Sequence, residues 1–255
     1  MIIPPSHQID PCAPQRPRRI VVVNAKGGCG KTTLATTIAA WYARAGRSTC
    51  LVDMDPQGSS TQWLEVRPAE RPPIAGVWTH QRMTAMTRSF ALRVPLNTER
   101  LVIDTPAGLD RGELATVVRD ADAVVVPVLP SAFDIRAASR SIADILLAIG
   151  KLRQRQHIAV VANRVRDNTR VYDRLVCFLD SLTIPFITSL RNTQYYAIAA
   201  EQGLGIHELD EPRARHDRRQ WRPLLEWIED DAVQVPGTAI AGFPHLTPMT
   251  GGHGS

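Results

Sequence analysis

A glycine-rich run at residues 25–33, Ala-Lys-Gly-Gly-Cys-Gly-Lys-Thr-Thr, has the residue types that bind the phosphate chain of a nucleotide. The three glycines let the backbone come close to an anion and turn successive N–H groups toward it. Lys31 supplies a positive charge for the β- and γ-phosphates, and Thr32 supplies a hydroxyl for Mg²⁺. The residues predicted to bind the nucleotide in this run are Gly27, Gly28, Cys29, Gly30, Lys31, Thr32 and Thr33.

Lysine is rare outside this loop. Of the 30 basic residues, only Lys26, Lys31 and Lys151 are lysines. A GC-rich genome is the simpler reason for the arginine bias, and selection for phosphate or nucleic-acid contact is the other. Either way, a chain that prefers arginine has kept two lysines five residues apart, which indicates that the loop needs lysine specifically.

Three aspartates follow short apolar runs and have the chemistry to assist phosphoryl transfer. Asp53 and Asp55 follow residues 50–52, and Asp104 follows residues 101–103. A carboxylate beside the γ-phosphate can orient the attacking water or hold a water bound to Mg²⁺. Asp55-Pro-Gln-Gly also favours a turn, so a structural role for the first two aspartates stays open. Asn163 follows a further apolar run, and a turn is the alternative reading there too.

These residues are predicted to lie at one edge of a parallel sheet. Short apolar strands alternate with helical patterns, which is typical of an α/β P-loop NTPase fold with a mostly parallel sheet and helices on both faces. Ligands bind such sheets beyond the carboxyl ends of the strands. Strands are expected near 20–23, 50–52, 101–103, 123–128, 158–162 and 184–187. Helices are expected near 32–44, 132–149, 169–181, 193–201 and 212–230, with one more possible near 79–91 in an otherwise irregular stretch at 66–98.

Composition narrows the class of protein. The chain has 255 residues, is 44% hydrophobic and 22% charged, and has a net charge of +5, so we expect an ordinary folded core. A single domain is expected at 19–230, between tails at 1–18 and 231–255. No run of 18 apolar residues and no apolar leader is present, so neither a membrane span nor a secretory signal is expected. The four cysteines lie far apart and form no Cys-x-x-Cys pair, which argues against a disulfide framework and against a zinc site. This pattern is typical of a protein in a reducing cytoplasm.

The glycine-rich loop departs from the common Gly-x₄-Gly-Lys-[Ser/Thr] pattern, because Ala25 stands where the first glycine would be. Its Lys-Gly-Gly-x-Gly-Lys-Thr pattern instead resembles the deviant Walker A box of the ParA/MinD superfamily of P-loop ATPases. Residues 53–63 resemble the switch-I-like region of ParA proteins, and residues 104–108 resemble the switch II of the superfamily.

This resemblance implies ATP and Mg²⁺ as cofactors and a role for each residue. Lys26 would reach across a nucleotide-sandwiched homodimer to the partner's phosphates, as an arginine finger does. The catalytic set is then Lys26, Lys31 and Asp55; Mg²⁺ would be held by Thr32, Asp53 and Asp104; and Asn163 would help to bind adenine.

Other branches of the superfamily fit less well. Residues 237–255 are rich in glycine and proline and cannot form the basic helix by which MinD proteins bind membrane. The cysteines do not suit a shared iron–sulfur cluster, and the chain is too short to add an amidotransferase domain. The ParA branch remains, of the small plasmid-partition or orphan type that positions cargo such as carboxysomes. It implies non-specific DNA binding in the ATP state, a cargo-linked activator protein and a location on the nucleoid in the cytoplasm.

A basic segment at 211–222 is the predicted DNA contact, with five arginines against two acids. Helical spacing places Arg215, Arg218, Arg219 and Arg222 on one face. A solvated helix face is the alternative, and a second arginine group lies at Arg164, Arg166, Arg170 and Arg174.

The alternative function is a metabolic or metallocentre-assembly P-loop ATPase that acts on a small substrate or a client protein.

Overall fold

A seven-stranded sheet, with every strand parallel to its neighbours, forms the centre of the computed structural model. The structure describes residues 16–79, 93–149, 157–166, 169–181, 184–210 and 212–230. The expected helix near 79–91 and nearly all of both predicted tails therefore lie outside the described residues. The strands are β1 Arg18–Val22, β2 Thr49–Asp53, β3 Ala75–Trp78, β4 Arg100–Asp104, β5 Ala123–Val128, β6 His157–Val165 and β7 Phe186–Arg191.

Seven α-helices accompany the sheet in the described ranges. They are α1 Lys31–Arg44, α2 Ser59–Glu65, α3 Arg111–Val118, α4 Ala132–Ile149, α5 Arg170–Asp180, α6 Tyr195–Glu201 and α7 Arg215–Glu229. Two short 3₁₀ helices, Ile206–Glu208 and Pro212–Ala214, lie between α6 and α7. No helix among the residues described is both long and apolar enough to span a bilayer.

The strand order β3-β2-β4-β1-β5-β6-β7 determines where a ligand can bind. From β1 the chain builds one side of the sheet with β2, β3 and β4, and then crosses over to build the other side. The carboxyl end of β1 is therefore the switch point at which open parallel sheets form their ligand crevice. The loop at 25–30 begins at that end of β1.

Helices cover both faces of the sheet, as the buried apolar strands require. Val22 and Leu34 belong to the core on the side of α1, α2, α6 and α7. Val21, Leu114 and Ile142 belong to the core on the opposite side, under α3, α4 and α5. The prediction of a mostly parallel sheet with helices on both faces is confirmed.

The segment at 66–98 differs from its prediction. Residues 75–78 form β3, an outer strand that pairs with β2, instead of an irregular stretch. Its four residues, Ala-Gly-Val-Trp, contain a single β-branched side chain and a glycine, so their strand propensity is weak. β7 also begins later than predicted, because Pro185 has no N–H to donate to the sheet.

Candidate nucleotide-binding site

The loop between β1 and α1 has the backbone geometry of an anion cradle. Gly28 and Gly30 both have positive φ, at 72° and 96°, which L-residues with a side chain rarely adopt. Helix α1 begins at Lys31, and no side-chain cap satisfies the N–H groups of its first turn. These N–H groups and the positive end of the helix dipole are available to a phosphate.

The two lysines of this loop occupy different environments. Lys31 is only 7% exposed, and its Nζ donates to the carbonyl oxygen of Lys26 at 3.2 Å. Its charge is thus held over the loop by the backbone. Lys26 itself is exposed at the surface of the protomer. Cys29 is buried, and its Sγ contacts the same Lys26 carbonyl at 3.2 Å.

Asn24 anchors the start of the loop, a role that the sequence analysis missed. Its Nδ2 donates to the carbonyl of Pro127 at 2.7 Å, and its Oδ1 accepts from the Lys26 backbone N–H at 3.0 Å. Ser141 of α4 donates its hydroxyl to the same Oδ1 and accepts from the Ala25 N–H, each at 3.2 Å. The backbone N–H groups of Ala25 and Lys26 are therefore held by the side chains of Ser141 and Asn24, respectively.

Asn163 lies at the end of β6 against the glycine-rich loop. Its Nδ2 donates to the carbonyl of Cys29 at 2.8 Å, and its Oδ1 accepts from the N–H of Arg164 at 2.9 Å. A Cβ on Gly30 would come within 2.1 Å of that Nδ2, so glycine is needed there for space as well as for its φ. The contact seen is thus with the loop, and the predicted adenine contact stays a prediction.

Asp104 ends β4 with one carboxylate oxygen bonded and the other open. The residue is 1% exposed; its Oδ2 accepts from the Ser60 hydroxyl at 2.7 Å, while its buried Oδ1 has no hydrogen-bond partner among the residues that the structure describes. Burial raises the pKa of the Asp104 carboxyl to about 6, an effect that Ser60, Thr32 and Lys31 oppose and that the charge of Asp53 adds to. A buried carboxylate oxygen without a hydrogen bond and a nearby threonine hydroxyl together provide the hard oxygen ligands that Mg²⁺ prefers. The residues present therefore fit the predicted metal.

Asp53, predicted as a second metal ligand, is engaged by its own loop. Its Oδ1 accepts from the N–H of Asp55 at 3.0 Å, and its Oδ2 accepts from the N–H and hydroxyl of Thr61 at 2.8 and 3.0 Å. Asp55 is half-buried, and its Oδ1 accepts from the Gln57 N–H at 2.9 Å. Hydrogen bonds to both oxygens of Asp53 therefore hold the β2–α2 loop in place. Asp104, by contrast, has one oxygen that accepts no hydrogen bond from the described residues.

Helix α7 exposes three of the four arginines predicted to share a DNA-binding face. Arg215, Arg219 and Arg222 are exposed. Arg218 is half-buried, because it donates to the carbonyl of Leu209 at 2.5 Å across the turn before the helix. Arg222 pairs with Glu226 at 2.6 Å, so its charge is partly offset. Arg215 and Arg219 remain as the exposed charges of this face that form no ion pair in the described part of the chain.

The second arginine group lies at the carboxyl edge of the sheet. Its four members, one near the end of β6, one directly after β6 and two on α5, are all exposed. One of them, Arg164, has a positive φ of 53°, which no other non-glycine residue in the described ranges shows. This group is continuous with the nucleotide site through the neighbouring Asn163. The four are Arg164, Arg166, Arg170 and Arg174.

Comparison with known proteins agrees with this geometry. The family model described as the CobQ/CobB/MinD/ParA nucleotide binding domain matches residues 20–206. The chain is 30% identical over 217 residues to maintenance of carboxysome distribution protein A of Gloeobacter kilaueensis, covering 84% of this chain and 95% of that protein. It is 29% identical over 191 residues to the protein of the same name from Halothiobacillus neapolitanus, covering 74% and 87%.

The fold is also similar to solved structures. Apo McdA from Cyanothece superposes with a TM-score of 0.61 at 17% identity, covering 83% of this chain and 98% of that one. The family-model match over residues 20–206, which includes the end of β1, the glycine-rich loop and both switch-like segments, establishes the family. The chain belongs to the CobQ/CobB/MinD/ParA family of nucleotide-binding domains.

Proposed function

We propose that this protein is an Mg²⁺-dependent ATPase that dimerises around ATP, binds nucleoid DNA without sequence preference and positions a carboxysome or another protein assembly. Hydrolysis would be stimulated by a cargo-linked activator protein, and the whole cycle would take place in the cytoplasm. Two relatives named for carboxysome distribution align over most of both chains, which supports this cargo. A plasmid or a chromosome region is the alternative cargo within the same mechanism.

The observation that carries the proposal is the contrast between the two lysines of the loop. Lys31 is buried over the loop, where it would neutralise the phosphates of the protomer's own nucleotide. Lys26 is exposed, and its backbone N–H is held by Asn24, which supports a role in which its side chain would reach a second protomer. A cation delivered in this way stabilises the charge that develops on the transferred phosphoryl group.

The remaining residues of the site would each have a separate role in ATP binding and hydrolysis. The glycine N–H groups and the first turn of α1 would bind the phosphates. Thr32 and Asp104 would hold Mg²⁺, which would neutralise the charge that develops on the phosphates. Asp55 is half-buried on the neighbouring loop and would orient the attacking water. Asn163 would hold the loop and face the base.

Replacing Lys26 tests the dimer-dependent step. We expect Lys26→Ala to bind ATP with unchanged affinity and to lose ATP hydrolysis. ATP-dependent dimerisation, measured by sedimentation at several protein concentrations, is expected to weaken as well. Lys151→Ala, the third lysine of the chain, is the matched control. Hydrolysis at the parental rate in Lys26→Ala would show that the cross-dimer role is wrong.

DNA binding is tested with duplex DNA of arbitrary sequence over a salt series, with ATP, with ADP and without nucleotide. Binding is expected only with ATP. The double variant Arg215→Ala/Arg219→Ala should lower the slope of log K against log salt by roughly 2, about 0.9 for each lost phosphate contact. Arg170→Ala/Arg174→Ala is the comparison variant on α5, and a larger effect there would move the DNA contact to that surface. Intact hydrolysis without DNA binding in any state would favour the metabolic or metallocentre-assembly alternative.

A further inference from the structure

The first turn of α2 contacts both buried carboxylates at the end of the sheet. Asp53 and Asp104 are register partners on the neighbouring parallel strands β2 and β4. Ser60 donates its hydroxyl to Asp104 at 2.7 Å, and the next residue, Thr61, donates its hydroxyl and its N–H to Asp53. Ser60 and Thr61, which are consecutive residues of one short helix, therefore each donate to one of two neighbouring carboxylates.

The Ser60 contact fixes the orientation of the Asp104 carboxylate. Ser60 is fully buried, at 0% exposure, and its hydroxyl is bonded to Oδ2. The other oxygen, Oδ1, is buried and has no hydrogen-bond partner in the described part of the chain. Without the serine, no hydroxyl of α2 would hold the plane of the carboxylate in one orientation. With it, one oxygen is committed to α2 and the other is left for a cation.

We propose that Ser60 is a positioning residue that orients Asp104 as a ligand in the magnesium site. This inference rests on the part of the proposed function that places Mg²⁺ at Thr32 and Asp104. Loss of a hydrogen bond to a metal-ligating side chain typically lowers metal affinity or activity by about 10- to 100-fold. Because α2 directly follows the loop that contains Asp55, the same contact links the position of that loop to the metal ligand.

The test is the affinity for Mn²⁺, used as a paramagnetic probe, measured by electron paramagnetic resonance with bound ADP. Ser60→Ala is expected to raise the Mn²⁺ dissociation constant about tenfold, the low end for the loss of such an outer contact. Affinity for ADP in the presence of a chelator should be unchanged. Ser59→Ala, an exposed serine in the same helical turn, is the matched control and should bind Mn²⁺ like the parent.

A second variant guards against a loss of folding. Ser60→Cys keeps a side chain of similar shape with a weaker donor, so its Mn²⁺ affinity should lie between those of the parent and Ser60→Ala. Both variants should also recover most of the parental turnover at saturating Mg²⁺, which a general loss of structure would not allow. Thermal unfolding without nucleotide shows that the compared variants are folded.

Asp104→Asn separates failure of this inference from failure of the proposed function. If Asp104→Asn weakens Mn²⁺ binding and Ser60→Ala does not, the positioning role of Ser60 is refuted while the metal site stands. If Asp104→Asn binds Mn²⁺ as the parent does, the magnesium site itself is wrong. Weaker Mn²⁺ binding in both variants, with ADP affinity preserved, supports the inference.

Discussion

Replacing Glu208 by glutamine is expected to lower the free energy of unfolding by about 3–5 kcal/mol, because it leaves a buried guanidinium without its counter-charge. The side chains of Arg67 and Glu208 are 5% and 1% exposed, and two hydrogen bonds of 2.7 and 2.9 Å join them. Arg67 also donates to the carbonyls of Gly203 and Pro72. The pair therefore links the segment after α2 to the turn before α7.

The magnitude follows from what remains after each change. In Glu208→Gln the guanidinium keeps its backbone acceptors but loses a full negative charge in a site closed to water. Arg67→Met leaves a buried carboxylate instead, with the N–H of Gly205 as a remaining donor at 2.9 Å. Each single variant is thus expected to cost about 3–5 kcal/mol. The double variant should cost less than the sum by roughly 2–3 kcal/mol, since neither charge is then stranded.

Urea unfolding without nucleotide, followed by tryptophan fluorescence, measures these values. Glu226→Gln is the control, because it removes an ion pair with Arg222 whose side chains are 79% and 62% exposed. Its expected cost is about 0.5 kcal/mol or less. A cost below about 1 kcal/mol for Glu208→Gln, or strictly additive single costs in the double variant, would refute the reasoning.

Four further variants test individual residues. Lys31→Ala should abolish ATP binding, measured by calorimetry, because the phosphates lose their buried cation. Gly30→Ala should weaken ATP binding at least tenfold, because its φ of 96° and the nearby Asn163 amide both exclude a methyl group. Asp55→Ala should slow hydrolysis while preserving the ATP-bound dimer, seen by sedimentation. Burial lowers the pKa of His207 to about 4, so between pH 6.5 and 4 the unfolded chain binds a proton that the folded chain does not. The free energy of unfolding should then fall by up to about 1.4 kcal/mol for each pH unit of acidification, and His207→Gln should flatten this slope.

Each of these has an outcome that contradicts it. Normal nucleotide affinity in Lys31→Ala would remove that lysine from the site. Parental affinity in Gly30→Ala would mean that the loop can change its conformation at little cost. A monomeric Asp55→Ala would place that residue in dimerisation instead of hydrolysis. An unchanged pH slope in His207→Gln would mean that other groups cause the acid sensitivity.

The sequence was sufficient to predict six of the seven strands of the sheet, for a physical reason. Strands buried on both faces must be continuous apolar runs, and residues 20–23 and 123–128 have that pattern. The short helices were harder to predict. Helix α3 has a capping box in which Asp110 and Glu113 each accept the other's backbone N–H, and the Asp-x-x-Glu spacing was a usable signal. Helix α2 has only seven residues and no side-chain cap, so its sequence contains no comparable signal.

The different roles of Asp53 and Asp104 could not be predicted from their positions in the sequence. Asp53 and Asp104 both end a buried strand, and the sequence treats them alike. The structure distinguishes them because both oxygens of Asp53 accept hydrogen bonds, Oδ1 from the Asp55 N–H and Oδ2 from Thr61. Among the described residues, only Oδ2 of Asp104 accepts one, from the Ser60 hydroxyl. That difference depends on where a seven-residue helix packs, which is a property of the tertiary structure.

The arginines of α7 are a second case in which the sequence pattern predicts only part of the structure. Helical periodicity correctly places Arg215 and Arg219 on an exposed face. Periodicity contains no information about the carbonyl of Leu209, which takes Arg218 out of that face. Since Leu209 precedes the helix, Arg218 contributes to holding α7 against the preceding turn. Its removal should therefore reduce stability, whereas removal of Arg215 and Arg219 should reduce DNA affinity and its salt dependence.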